Sequence, residues 1–155
     1  MLRKIQKMFS DKAREKRAKL FMEILKPKTE NKIIDLGGGN GKHIHGILGK
    51  DRFEDVLIAD ILTDDLVYAN ETFGYKTHQL CEEDTLPFAD KQFDIVFCNS
   101  VIEHVTIPKN EIWDLKNTSE FKKRSFDSQK EFANEIRRIG KSYFVQTPNK
   151  YFILE

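Results

Sequence analysis

The chain has 155 residues, which is enough for one domain with its own hydrophobic core. Its 26 Lys and Arg residues against 25 Asp and Glu residues give a net charge of +1, which excludes nucleic-acid binding through bulk charge. Two cysteines, Cys81 and Cys98, are too few for a disulfide framework, and no signal peptide or long apolar run is present. We therefore expect a cytoplasmic protein without membrane contact.

Positive charge is concentrated in the first 28 residues, where ten Lys and Arg face three acids. Such a segment is either an interaction arm or the solvated face of a helix. Four apolar positions favour a helix that packs on the domain: Leu20, Phe21, Ile24 and Leu25. We interpret residues 1–29 as a basic N-terminal helix and residues 30–155 as the main domain.

A glycine-rich turn follows the first apolar run. Residues 33–42 read IIDLGGGNGK, and an apolar-periodic segment over residues 44–48 comes next, which predicts a strand, a tight turn and a helix. Glycine lets the backbone approach a ligand closely, and a helix N-terminus favours an anionic or nucleotide-like group. The sequence does not match the dinucleotide fingerprint, because Lys42 occupies the position of the third glycine. It does not match the P-loop pattern either, because the spacing is one residue short and His43 occupies the Ser/Thr position.

What remains is Asp-x-Gly-x-Gly-x-Gly, from Asp35 to Gly41. This pattern resembles motif I of the class I S-adenosylmethionine-dependent methyltransferases. The resemblance implies that the glycine turn passes under the methionine part of the cofactor, and His43 is a candidate for contact with the cofactor carboxylate. The alternative is an ordinary strand–helix turn without a ligand.

The second apolar run, VLIAD, ends at Asp60. An acid at the end of the second strand, about 20 residues beyond the glycine turn, reaches the ribose hydroxyls of a bound nucleotide. A carboxylate suits this role because it accepts from two neighbouring hydroxyls. The alternative is a helix cap, although Thr63 or Asp64 could serve that purpose.

Residues 82–94, EEDTLPFADKQFD, resemble the most characteristic segment of the same family, D-a-x-x-L-P-F-x-D-x-x-F-D. The resemblance implies that the acid four residues before Leu-Pro-Phe contacts the adenine amino group. Glu82 stands at that position instead of Asp, and Asp84 is the alternative. A solvated acidic loop is the competing interpretation.

Residues 93–99, FDIVFCN, form a nearly continuous apolar run, as expected of a central parallel strand. In the family the cofactor and the methyl acceptor meet at the end of this strand, which implies that Asn99 and Ser100 lie beside the sulfonium. Glu103 and His104 are the candidate general bases, since a His titrates near neutral pH, although His104 could equally pack or cap the helix. Some related enzymes carry a metal triad E-x-x-E-H here, but Ser100 replaces its first carboxylate, so no metal is expected.

Phe132, Ile136 and Ile139 have helical spacing within residues 126–139, Gly140 follows as a C-cap, and residues 141–147 predict a fifth strand. Residues 107–125 are polar and long for a connection, so we interpret them as a substrate lid or a disordered loop. The fifth strand would be an apolar edge, which predicts that residues 110–125 or a second copy of the chain cover it.

These elements predict an α/β fold: a Rossmann-like doubly wound parallel sheet of order 3-2-1-4-5 without the C-terminal antiparallel hairpin of the family. The resemblance implies an S-adenosylmethionine-dependent methyltransferase that acts on a small molecule. Two alternatives stay open: a catalytically silent binding module, and an RNA methyltransferase that uses the basic helix. The predicted cofactor-binding residues are Asp35, Gly37, Gly38, Gly39, Gly41, Asp60, Ile61, Glu82, Asp84, Asn99 and Ser100.

Overall fold

The computed structural model describes residues 2–49, 56–81, 85–106 and 117–147. In these ranges the helices are α1 (Leu2–Leu25), α2 (Lys42–Leu48), α3 (Thr63–Phe73) and α4 (Thr118–Ile139). The strands of the same ranges are β1 (Ile33–Leu36), β2 (Val56–Asp60), β3 (Lys76–Gln79), β4 (Phe93–Asn99) and β5 (Gly140–Gln146), with a 3-10 turn at Ile102–His104. Within these ranges no helix has the length and apolar content needed to cross a bilayer.

The strands form one parallel sheet of order β3-β2-β1-β4-β5, which confirms the predicted architecture. β1 lies at the centre, and its Ile33 aligns with Val56 on one side and Ile95 on the other. Winding reverses between β1 and β4, so their carboxyl ends lie side by side at the position where open α/β sheets bind ligands.

Both faces of the sheet are covered by helices. On one face Phe21 of α1 is fully buried and packs edge-on against Phe97 of β4 and Phe144 of β5, with ring centroids 5.0 and 5.5 Å away. On the other face Ile136 and Ile139 of α4 join a second apolar cluster. Aromatic contacts of this geometry stabilise the packing beyond the burial of apolar surface, and they fix α1 on the sheet.

The predicted apolar face of α1 is confirmed in part. Phe21 and Leu25 pack against the core, but Leu20 is 40% exposed and Ile24 is 64% exposed, so the prediction for those two residues is wrong. Successive helix residues are rotated by about 100°, and a single helix on a sheet buries only a narrow stripe. Phe21 and Leu25 lie on that stripe, while Leu20 and Ile24 lie beside it.

Helix α4 begins eight residues before the predicted helix, at Thr118. Residues 118–125 belong to this helix, so the interpretation as a disordered loop is wrong for them, and the interpretation as a substrate lid stays a prediction. The Asn117 side chain caps the helix by accepting a hydrogen bond from the Glu120 backbone N–H at 3.0 Å. Residues 107–116, including Trp113, lie outside the described part of the chain.

Gly140 ends α4 as predicted, but for a different reason. Its backbone is extended (φ −106°) instead of left-handed, and β5 starts at this residue. A Cβ atom here would lie 2.5 Å from Val96 Cγ2, so close packing between the helix end and β4 requires glycine.

Strand β5 pairs only with β4 in the described ranges, and Tyr143 and Val145 on it are 49% and 38% exposed. Unpaired strand edges attract other strands, which is the reason to expect that another segment or a second copy of the chain covers β5. This expectation stays a prediction.

Candidate functional site

The glycine turn connects the end of β1 to α2. Gly37, Gly39 and Gly41 have φ values of +74°, +52° and +71°, in the left-handed region that favours glycine. A Cβ atom at Gly37 would lie 2.3 Å from Val101 Cγ2, so the chain's own packing already requires glycine there. At Gly39 the nearest atom to such a Cβ is Asp65 Oδ2 at 3.4 Å, which leaves this glycine the least enclosed of the three.

Asp35 lies under this turn. It is 3% exposed, and a Cβ atom at Gly38 would lie 2.5 Å from its Oδ2. Oδ2 has no hydrogen-bond partner among the described residues. Burial, followed by the nearby Asp60 carboxylate, raises the pKa of Asp35 to about 8. The ligand-free protein therefore holds a largely protonated carboxyl group at this position near neutral pH.

Asp60 ends β2 and joins two turns. Its Oδ2 accepts a hydrogen bond from the Gly39 backbone N–H at 2.7 Å, and its Oδ1 accepts one from the Leu62 N–H at 3.0 Å. Leu62 is the N-cap residue of α3, so Asp60 is not its helix cap, and the bond from the Leu62 N–H is a local turn bond. A carboxylate has about four acceptor positions, so two remain for a ligand. Ile61, beside it, is 52% exposed.

The Leu-Pro-Phe segment is held by α4. Arg138 donates to the backbone oxygens of Leu86 and Phe88 at 2.9 and 2.6 Å, and to the Glu135 carboxylate. Glu135 in turn accepts the Leu86 N–H at 2.8 Å, and its hydrogen bond with Arg138 holds its pKa below the ordinary value. This pair was not predicted from the sequence, in which its only local signal is an acid three residues before an Arg.

Glu82 and Asp84, the predicted adenine contacts, lie outside the described part of the chain. The Arg138 bonds therefore fix the segment that directly follows them, and their own roles stay predictions.

The end of β4 contains a strained turn. Ser100 has φ +57°, a conformation that side-chain-bearing residues rarely adopt, and its N–H donates to the Gln146 backbone oxygen at 2.8 Å. Strain of this kind concentrates at functional sites. Beside it, Asn99 Oδ1 is buried and has no hydrogen-bond partner within the described ranges. The two predicted sulfonium neighbours thus lie together at the carboxyl end of β4.

The two predicted general bases differ in burial. Both carboxylate oxygens of Glu103 are buried without a hydrogen-bond partner among the described residues, whereas the His104 side chain is exposed. The His104 backbone N–H donates to Val101 O at 2.8 Å and closes the 3-10 turn. Their catalytic roles stay predictions.

His43, directly after the glycine turn, lies over the sheet with its ring 5.7 Å from that of Phe97. Burial, followed by the positive charges of Arg14 and Arg17 on α1, lowers its pKa, so the imidazole is uncharged near neutral pH. Arg17 lies one helical turn before Phe21 and Arg14 lies two turns before it, so α1 reaches the carboxyl edge of the sheet.

A parallel sheet of order 3-2-1-4-5, with a glycine turn after β1 and an acid at the end of β2, is a Rossmann-like α/β fold. Residues 34–142 match the family described as a methyltransferase domain, and the chain belongs to this family. No curated protein sequence matches the chain significantly.

The chain is similar to several solved structures. The PH0226 protein from Pyrococcus horikoshii matches 84% of this chain and 50% of its own length, with a TM-score of 0.56 and 22% identity. A SAM-dependent methyltransferase from Aquifex aeolicus matches 80% of this chain and 58% of its own, with a TM-score of 0.49 and 17% identity. The YcgJ protein from Bacillus subtilis matches 58% and 40%, with a TM-score of 0.46 and 20% identity. The chain thus spans about half the length of these proteins.

Proposed function

We propose that the chain binds S-adenosylmethionine at the carboxyl edge of the sheet and transfers its methyl group to a small molecule. The proposal rests on the position and the hydrogen bonds of Asp60. Its carboxylate is fixed by two backbone N–H groups, next to the glycine turn, and retains acceptor positions for the two hydroxyls of a ribose. Family membership supports the same cofactor.

The charges near the turn favour a sulfonium nucleoside over a dinucleotide. Burial and the nearby Asp60 carboxylate keep Asp35 protonated in the free protein, and the phosphates of a dinucleotide would raise its pKa further. A cofactor with a positively charged amino acid tail has the opposite effect, because a nearby cation favours the ionised form of Asp35. The unpartnered Oδ2 of Asp35 then gains a partner.

The remaining predicted residues fit around the same cofactor. Gly37, Gly38, Gly39 and Gly41 would shape the methionine pocket, Ile61 would lie beside the ribose, and Asn99 and Ser100 would lie beside the sulfonium. Glu82 or Asp84 would contact the adenine. When bound, the cofactor supplies an activated methyl carbon, and the protein mainly positions the two reactants.

Glu103 and His104 are the proposed general bases, which would remove the proton from a methyl acceptor that reaches the site still protonated. Glu103 has unused acceptor capacity, since both of its oxygens are buried and unpartnered in the described part of the chain. His104 is exposed and would act only where an acceptor reaches the surface of the turn.

Isothermal titration with S-adenosylmethionine and with its demethylated product tests the proposal. We expect Asp60→Asn to weaken binding about 10- to 100-fold, because hydrogen bonds to a charged group are lost. Asp64→Asn, an exposed acid in the first turn of α3, is the matched control and should leave affinity within about twofold. A folded wild-type protein that binds neither compound at millimolar concentration would refute the proposal.

The same samples separate the alternatives. Cofactor binding without methyl release to any acceptor would favour the binding module. An RNA methyltransferase that uses the basic helix would lose RNA affinity steeply as salt is added, so a flat salt response removes that alternative.

A further inference from the structure

The side chain of Gln146 has no assigned role, although its backbone does. Gln146 ends β5 and aligns with Asn99 of β4, and its backbone oxygen accepts the Ser100 N–H. Its side-chain Oε1 is buried and, like Asn99 Oδ1, has no hydrogen-bond partner among the residues that the structure describes. The side chain is therefore not needed for the turn that the backbone holds.

Gln146 belongs to the sheet face beneath α1. Phe97 and Phe144, two residues earlier on the same strands, are parallel (1° between ring planes) with centroids 5.8 Å apart. Side chains two residues apart in a strand share a face, so Asn99 and Gln146 continue this face to the carboxyl edge. The apolar layer below them is closed by Phe21.

His43 lies on the same face. Its ring contacts Phe97, and its Nε2 is buried without a hydrogen-bond partner in the described ranges. Because burial and the charges of Arg14 and Arg17 lower the pKa of His43, the ring is neutral and offers one nitrogen as an acceptor. A layer of unsatisfied polar groups thus covers the aromatic layer.

We propose that Gln146 and His43 form the acceptor-recognition subsite, and that the acceptor is a small molecule that presents hydroxyl or amino hydrogens to them. The inference rests on the proposed function, in which Asn99 lies beside the sulfonium. Gln146 is one strand further along the sheet, about 4.8 Å away, where an acceptor would lie next to the cofactor. A donor-bearing acceptor satisfies buried carbonyls that an apolar molecule would leave unpaired.

Thermal unfolding of the ligand-free protein gives the first test. Gln146→Met keeps the length of the side chain and removes the unsatisfied amide, so we expect the Tm to rise by about 2–4 °C. Ser142→Ala is the matched control on the same strand and face, because the Ser142 hydroxyl donates to Asp94 O at 2.7 Å. It should lower the Tm. A lower Tm for Gln146→Met would overturn the proposal, since the amide would then be a structural group.

Binding of small probes gives the second test, by NMR on protein saturated with the demethylated cofactor. Catechol and aniline carry donors, while 1,2-dimethoxybenzene and N,N-dimethylaniline are their donor-free analogues, and both amines are uncharged at neutral pH. We expect at least one donor probe to bind about tenfold more tightly than its analogue, and Gln146→Met and His43→Phe to lose that preference.

Equal binding of the analogues, or no binding of any donor probe, would contradict the subsite. Affinity for the demethylated cofactor distinguishes the two proposals. If wild-type protein binds it and no donor preference appears, only the subsite is wrong, and if wild-type protein does not bind it, the proposed function is wrong.

Discussion

The two halves of the carboxyl edge differ in how their polar groups are satisfied. At the ends of β1 and β2, both Asp60 oxygens accept backbone N–H groups, and the glycine turn packs closely on Val101. At the ends of β4 and β5, oxygen atoms of Asn99, Glu103 and Gln146 are buried without partners among the described residues. The first half is preorganised by the chain itself, and the second keeps polar atoms that a ligand could satisfy.

Asp35 is the exception in the first half, because its Oδ2 is also unpartnered within the described ranges. Groups of this kind reduce stability in the free protein and are retained where function needs them. The comparison therefore predicts that, Asp35 apart, substitutions in the two halves change stability in opposite directions.

The largest effect is expected at Gly37. Gly37→Ala forces a Cβ to within 2.3 Å of Val101 and places alanine at φ +74°, so the free energy of unfolding should fall by about 2–5 kcal/mol in urea denaturation. Gly46→Ala is the control, because no described atom outside the local helix backbone lies within 4 Å of its Cβ position and the residue is inside α2. It should stabilise by about 0.5–1 kcal/mol. Equal effects of the two substitutions would show that the turn is not closely packed.

A smaller loss is expected when α4 releases the Leu-Pro-Phe segment. Arg138→Met removes hydrogen bonds to Leu86 O, Phe88 O and Glu135, which should cost about 2–3 kcal/mol and speed amide exchange at Leu86. Asp90→Asn is the control, since its side chain is 78% exposed and its ion pair with Arg138 contributes little. Unchanged exchange at Leu86 in Arg138→Met would contradict the structural role of this arginine.

The smallest effect concerns pH. The folded-state pKa of Asp35, about 8, lies above the unfolded value near 4. The stability that its proton contributes is therefore complete below about pH 4 and is lost as the pH rises toward 8. Asp35→Asn removes this dependence, so its stability relative to wild type should grow between pH 6 and pH 7, by at most about 1.4 kcal/mol. Parallel pH profiles for the two proteins would show that Asp35 is already ionised.

A feature could be predicted from the sequence when residues close together along the chain determine it. The turn at Gly37 and the acid at Asp60 depend on neighbouring residues, so motif spacing was sufficient. Arg138 and Leu86 are 52 residues apart, and Gln146 aligns with Asn99 only through the register of β4 and β5, which the sequence does not show. The start of α4 was missed because a solvated helix and a polar loop have the same composition.

Amide NMR spectra recorded during titration with S-adenosylmethionine test the central claim most directly. We expect the largest chemical-shift changes at the backbone N–H groups of Gly39 and Leu62, which donate hydrogen bonds to Asp60, and the next largest at Ser100. Saturable shifts confined to α3 and β3, or no shifts at millimolar cofactor in a folded sample, would contradict a cofactor site at the carboxyl edge of β1 and β2.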